Sequence, residues 1–157
     1  MLNSDYKDIL SILSEKKVKF ILVGAYAMAV HGYPRSTMAI DLWVMPDPEN
    51  ALLLMRALEI FGAPLGDITQ DDLQKEDLIF QIGVAPRRID ILSSIDGLKF
   101  SDAFARSQLI NIEGIPVHVL SLQDLITNKR ATGRTKDLAD AEFLEENLAP
   151  KVSDNEK

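Results

Sequence analysis

Two aspartates, Asp41 and Asp90, each sit inside a short, β-rich and otherwise apolar run: Ile40, Asp41, Leu42, Trp43, Val44 and Arg88, Ile89, Asp90, Ile91, Leu92. Aspartate is depleted in strands and is rarely buried without a partner, so two in such runs call for a reason. Carboxylates are hard oxygen donors, suited to Mg²⁺ or Mn²⁺. Two such ions about 3.5–4 Å apart can clamp a phosphoryl group for in-line displacement. On a strand, residues two apart share a face, so Asp41 points with positions 39 and 43 and away from Ile40 and Leu42. Asp90 likewise points away from Ile89 and Ile91. The plainer reading is a pair of polar residues at strand ends. Gly24-Ala25, a glycine turn that closes one apolar run and opens an alanine-rich one, tips the balance toward chemistry. Backbone N–H groups at such a turn can cradle phosphate, although most strand-glycine-helix turns are only tight turns.

These residues need elements to hold them. Apolar residues Ile9, Leu10, Ile12 and Leu13 predict a helix over 5–16, with Ser4 or Asp5 as its cap. A strand is predicted over 19–23, then a helix over 25–31 stopped by Gly32 and Pro34, then a strand over 40–44. Asp47 and Pro48 open a helix running to about residue 61, and 62–70 reads as a loop. Runs 78–83 and 88–92 predict a hairpin, 100–106 a short helix, and 109–112 with 116–120 a second hairpin around Glu113-Gly114. Ser121 caps a helix to about Lys129, Gly133 breaks it, and 135–147 is a last helix. The order of elements implies an α/β (α+β) fold, a mixed β-sheet with helices packed against it. A single domain is expected over 1–149, with 150–157 a polar, disordered tail.

The composition sets limits. With 157 residues, 46% hydrophobic and 26% charged, the chain is an ordinary globular one, large enough for a core. It has no cysteine, which excludes disulfides and a cysteine-based zinc site and fits a cytoplasmic location. No apolar run nears the ~20 residues that span a bilayer, and the N-terminus lacks the pattern of a signal peptide. A net charge of -7 argues against general DNA or RNA binding. Local basic clusters remain, at Arg87 and Arg88 and at Lys129, Arg130, Arg134 and Lys136.

Val23-Gly24-Ala25-Tyr26, the stretch from Arg35 to Val44 and the later Arg88-Ile89-Asp90-Ile91-Leu92 together resemble the nucleotidyltransferase superfamily, whose catalytic fold is shared with DNA polymerase beta. The resemblance covers about 19–144. It implies transfer of a nucleoside monophosphate from an NTP to an acceptor hydroxyl on tRNA, a protein or a small molecule. It further implies Asp41 and Asp90 as metal ligands, with Asp90 helping to deprotonate the acceptor. Gly24 and Ala25 become phosphate-binding positions, although Ala25 departs from the usual glycine or serine.

The family pattern has two acidic residues, Asp-x-Asp, on the first of these strands. Here Ala39 stands where the first metal-bridging aspartate belongs. Either the chain binds nucleotide without reacting, or an aspartate has been replaced; the intact surroundings make aspartate the expected natural residue. Small bacterial relatives, including toxins of toxin–antitoxin pairs, often end in an element like the one spanning Leu125 to Asp140. That resemblance makes Lys129 and Arg134 phosphate ligands and admits a cognate antitoxin or partner subunit. Asp137 and Asp140, three apart, are expected to hold Arg134 and Lys136. Arg35, ahead of the acidic strand, is a further phosphate candidate; a surface loop arginine is the alternative. Trp43 either walls the base or packs. His31 is expected to be structural, and His118 an exposed strand residue. The rival to an enzyme is a non-catalytic nucleotide-binding or interaction module. A dinuclear phosphohydrolase finds no His-Asp pair to support it.

Overall fold

The chain is described by a computed structural model over residues 2–147; the expected tail lies outside these residues. The first helix, α1 (Ser4–Glu15), buries Tyr6, Ile9, Leu10 and Leu13. Its cap is Asn3 rather than Ser4 or Asp5: the Asn3 side-chain oxygen accepts from Tyr6 N at 2.9 Å, which places the helix start one residue earlier. Then come β1 (Phe20–Val23), α2 (Gly24–Val30), β2 (Ala39–Val44) and α3 (Pro48–Phe61). Asp47 caps α3 through Asn50 N at 2.7 Å, and Gly62 ends it in the left-handed region, where lack of a Cβ is an advantage. The hairpin β3 (Ile79–Ile82) and β4 (Arg88–Leu92), helix α4 (Phe100–Arg106), the hairpin β5 (Gln108–Ile112) and β6 (Ile115–Val119), and helices α5 (Leu122–Thr132) and α6 (Thr135–Asn147) complete the order.

The six strands form one mixed sheet in the order β3-β4-β2-β1-β6-β5. β1 pairs antiparallel with β2 and parallel with β6; β2 pairs parallel with β4. The alternation of side chains divides the core into two. On one face Leu22, Ile40, Leu42, Val44, Ile89 and Ile91 pack with α1 and α3. On the other Ile21, Val23 and Trp43 pack with Met28, Phe100, Leu125, Ile126 and Leu144 from α2, α4, α5 and α6. Asp41 and Asp90 belong by register to this second face, so they are directed toward the side that α5 and α6 cover.

Asn50 is the buried polar joint of the sheet's lower end. It accepts from Lys19 N at 2.7 Å and donates to the carbonyls of Lys19 at 3.0 Å and Met45 at 2.9 Å. One side chain thus completes the backbone hydrogen bonding where β1 begins and β2 ends. No helix among the described residues is long and apolar enough to cross a membrane.

Candidate active site

The floor of the site is made by three adjacent strands. Asp41 on β2 is the direct partner of Asp90 on β4 and of Val23 on β1, the residue before Gly24. Neighbouring strands lie about 4.8 Å apart, so the two carboxylates start side by side on one face. Gly24 has φ +68°, and a Cβ there would collide with Asp41 Oδ2. The glycine is required twice over, by the left-handed backbone and by the room the carboxylate occupies.

The opposite wall comes from α5 and α6. Ser121 caps α5 by accepting from Asp124 N at 3.1 Å, and Gly133 (φ 70°) ends it and turns the chain into α6. The turn brings Lys129 back against α6: its Nζ lies 3.1 Å from Asp140 Oδ2 and 3.6 Å from Asp137 Oδ1. Arg35 reaches Asp140 at 2.5 Å, and Arg134 Nε donates to Asp137 at 2.7 Å. A cavity of about 520 Å³ lies between floor and wall, lined by Gly24, Ala25, Arg35, Asp41, Lys129 and Arg134 among others. On its far side, Ser94 Oγ donates to Asp77 Oδ1 at 2.8 Å, and Asn128 Nδ2 donates to the Asp96 carbonyl at 2.9 Å. The second bond ties α5 to the loop after β4.

The electrostatics are uneven. Burial, then the neighbouring Asp90 charge, pushes the Asp41 carboxyl up from 3.8 to about 6, against the pull of Arg88 and Lys129. Burial would raise Asp137 too, but hydrogen bonds from Thr132 and Arg134 and the charge of Lys129 hold it below the usual carboxylate range. Asp90 is 8% exposed and lies outside the cavity lining. Both of its oxygens are engaged by Arg88, through Nε at 2.8 Å and a terminal guanidinium nitrogen at 3.1 Å. Ala39 is buried, 4% exposed, and its direct partner across the strands is Arg88.

A pair of divalent cations does not fit this donor set. Ala39 supplies no oxygen, and Arg88 takes both oxygens of Asp90. Among the described residues no three His, Cys, Asp or Glu side chains converge as a cation site would require.

The structure decides between the alternatives left for some residues, and His118 and Asp140 differ from their sequence reading. Trp43 is 1% exposed, donates from Nε1 to the Ser93 carbonyl at 3.3 Å and packs edge-on against Phe100, so it is core and not a wall for a base. His118 is half-buried rather than exposed. Its ring lies 4.3 Å from that of Phe104, with Nδ1 2.9 Å from Ser107 Oγ, because β6 packs this side chain against α4. His31 is structural, with Nε2 2.8 Å from the Leu120 carbonyl. Asp137 does hold Arg134. Asp140 holds Lys129 and Arg35 and not Lys136, because one helical turn carries it past Arg134 toward α5 and the loop before β2. Arg88, Asp77 and Ser94 were not singled out as site residues. The signal for Arg88 was present: it stands two before Asp90 and so shares its face.

The family model described as nucleotidyltransferase of unknown function (DUF6036) matches residues 2–154, and the chain belongs to that family. Its fold is similar to that of a proposed nucleotidyltransferase from Thermotoga maritima, with a TM-score of 0.58 and 19% identity over 94% of this chain and 95% of the other. No curated protein sequence matches the chain significantly.

Proposed function

We propose that the cleft binds a nucleoside triphosphate and that its chemistry is transfer of the nucleoside monophosphate to an acceptor hydroxyl, with transfer impaired by Ala39. In that reaction the acceptor hydroxyl gives up its proton to solvent, its oxygen bonds to the α-phosphorus, the bond from that phosphorus to the α–β bridging oxygen breaks, and pyrophosphate leaves. The observation that supports the reading is the in-register Asp41–Asp90 pair beside the Gly24 turn, faced across a polar cavity by Lys129. Gly24 and Ala25 would offer backbone N–H groups to phosphate oxygens, and Lys129, Arg134 and Arg35 would offer charge. An acceptor on tRNA or protein, a partner subunit such as an antitoxin, and a cytoplasmic setting extend the same proposal.

Ala39 and the closed Arg88–Asp90 pair favour a second reading, a member that binds nucleotide and does not transfer it. The two are separated by incubating the chain and its Ala39→Asp variant with Mg²⁺, each α-labelled NTP in turn, and cellular RNA and protein. Equilibrium binding of the same NTPs is measured alongside. We expect both proteins to bind NTP and only the variant to transfer label. Binding without transfer by either points to the second reading. No NTP binding by either folded protein overturns both.

A further inference from the structure

We infer that Arg88 is a positioning residue that serves as a built-in counter-cation, holding Asp90 away from divalent metal and leaving the cleft to bind nucleotide without it. The nucleotide part of this inference rests on the function proposed above; the metal part does not.

Three independent features carry it. The guanidinium grips Asp90 in a forked geometry through both carboxylate oxygens, the strongest arrangement available to such a pair. Its backbone is fixed from the opposite side of the sheet, where the buried Tyr6 hydroxyl reaches the carbonyls of Arg88 at 2.9 Å and Pro86 at 3.2 Å. Most telling is the register. Residues 39 and 88 are direct partners on parallel strands, on the face that also carries Asp41 and Asp90. The side chain that would bring a third carboxylate is a methyl group, and its neighbour is a cation. With Asp41 ionised, the two aspartates and Arg88 together keep a single net negative charge. That is a poor site for even one doubly charged ion.

The register has a second consequence. A carboxylate restored at position 39 would face Arg88 as well, so the guanidinium would bridge it to Asp90 and compete with metal. Restoring Ala39 alone therefore recovers only part of a cation site. Removing the charge at 88 recovers the rest.

The test measures Mn²⁺ binding by the electron paramagnetic resonance of the free ion. It uses the unaltered chain, Arg88→Gln, Ala39→Asp and the double variant Ala39→Asp/Arg88→Gln, each checked by thermal melting. We expect no saturable binding by the unaltered chain, weak binding by Ala39→Asp, and binding about tenfold tighter or more by the double variant. ATP binding by the unaltered chain should be the same in EDTA as in Mg²⁺. Equal Mn²⁺ affinity in Ala39→Asp and the double variant overturns the inference. So does an Arg88→Gln chain that loses ATP with no gain of Mn²⁺ in either background, which would make Arg88 a phosphate ligand. If the Arg88→Gln proteins fail to fold, a crystal structure of Ala39→Asp soaked in Mn²⁺ decides. A guanidinium still forked on Asp90 supports the inference, and one swung away from an occupied metal site overturns it. A double variant that takes Mn²⁺ while no form takes ATP supports the role of Arg88 and overturns the nucleotide reading alone.

Discussion

Gly24 and Asp41 compete for one volume: the carboxylate of Asp41 fills the place where a side chain on Gly24 would begin. Any side chain at 24 must therefore displace the acid.

Gly24→Ala should therefore do more harm than a surface glycine substitution. The left-handed φ of +68° and the collision add up, and a loss of about 2–4 kcal/mol is expected. Gly62→Ala, at φ +88° with open space around it, is the control for the backbone part alone. Urea unfolding of the two variants measures the difference. Equal losses would remove the steric role of Asp41.

The pH dependence of stability should carry the mark of Asp41. Its carboxyl is raised from 3.8 to about 6 in the folded chain, so the native state binds the proton more tightly than the unfolded one. Stability contributed by this group is then highest at acid pH, falls as pH rises from about 4 to 6, and is level above. The full penalty is on the order of 3 kcal/mol. Asp41→Asn should remove this slope and raise the melting temperature at pH 7–8 more than at pH 5. Parallel pH–stability curves for the two proteins would show that the group is not perturbed.

Lys129→Met should weaken nucleotide binding by about tenfold while costing about 1–3 kcal/mol of stability. The stability loss is limited because Arg35 remains on Asp140 and Arg134 and Thr132 remain on Asp137. Binding and melting measured on one preparation separate the two effects. An unchanged ATP affinity would leave Lys129 as a purely structural cation.

Asn50→Ala should cost about 2–4 kcal/mol, because the Lys19 N–H and two carbonyls lose their partner together. Nucleotide affinity at temperatures below the melt should not change, since Asn50 lies at the other end of β2 from Asp41. A loss of affinity in the folded variant would show that the strand end controls the site.

Much of this was legible in the chain because period-2 and helical apolar patterns fix most elements to within one or two residues. The face carrying Asp41 and Asp90 follows directly from Ile40, Leu42, Ile89 and Ile91 pointing to the other side. Strand order was not legible. Nothing local in 88–92 says that it lies parallel to 39–44 with 39 opposite 88, and the identity of the third charged group depends on that register. Long-range pairing is decided by the whole sheet and not by either strand. The same limit explains Asp140: its helical position was clear, but its partner Arg35 lies 105 residues away in sequence. Asn50 sits in an ordinary helical pattern and acquires its role only where two strands and a helix meet. Trp43 was left between two readings and His118 was expected to be exposed for a similar cause, since alternation gives a face and not what covers it.

The cleft is assembled from distant parts of the chain, with consequences during synthesis. Its acidic floor is encoded by residues 24–90, and Lys129 and Arg134 of its basic wall come some forty residues later. A ribosome delivers the two aspartates and Arg88 well before Lys129 can reach them. Through that interval Arg88 is the cation nearest to hand, and the face of Ile21, Val23 and Trp43 waits uncovered for α5 and α6. Until the wall arrives, the forked pair on β4 supplies Asp90 with its counter-charge, and Lys129 joins the cleft only when α5 and α6 close over that face.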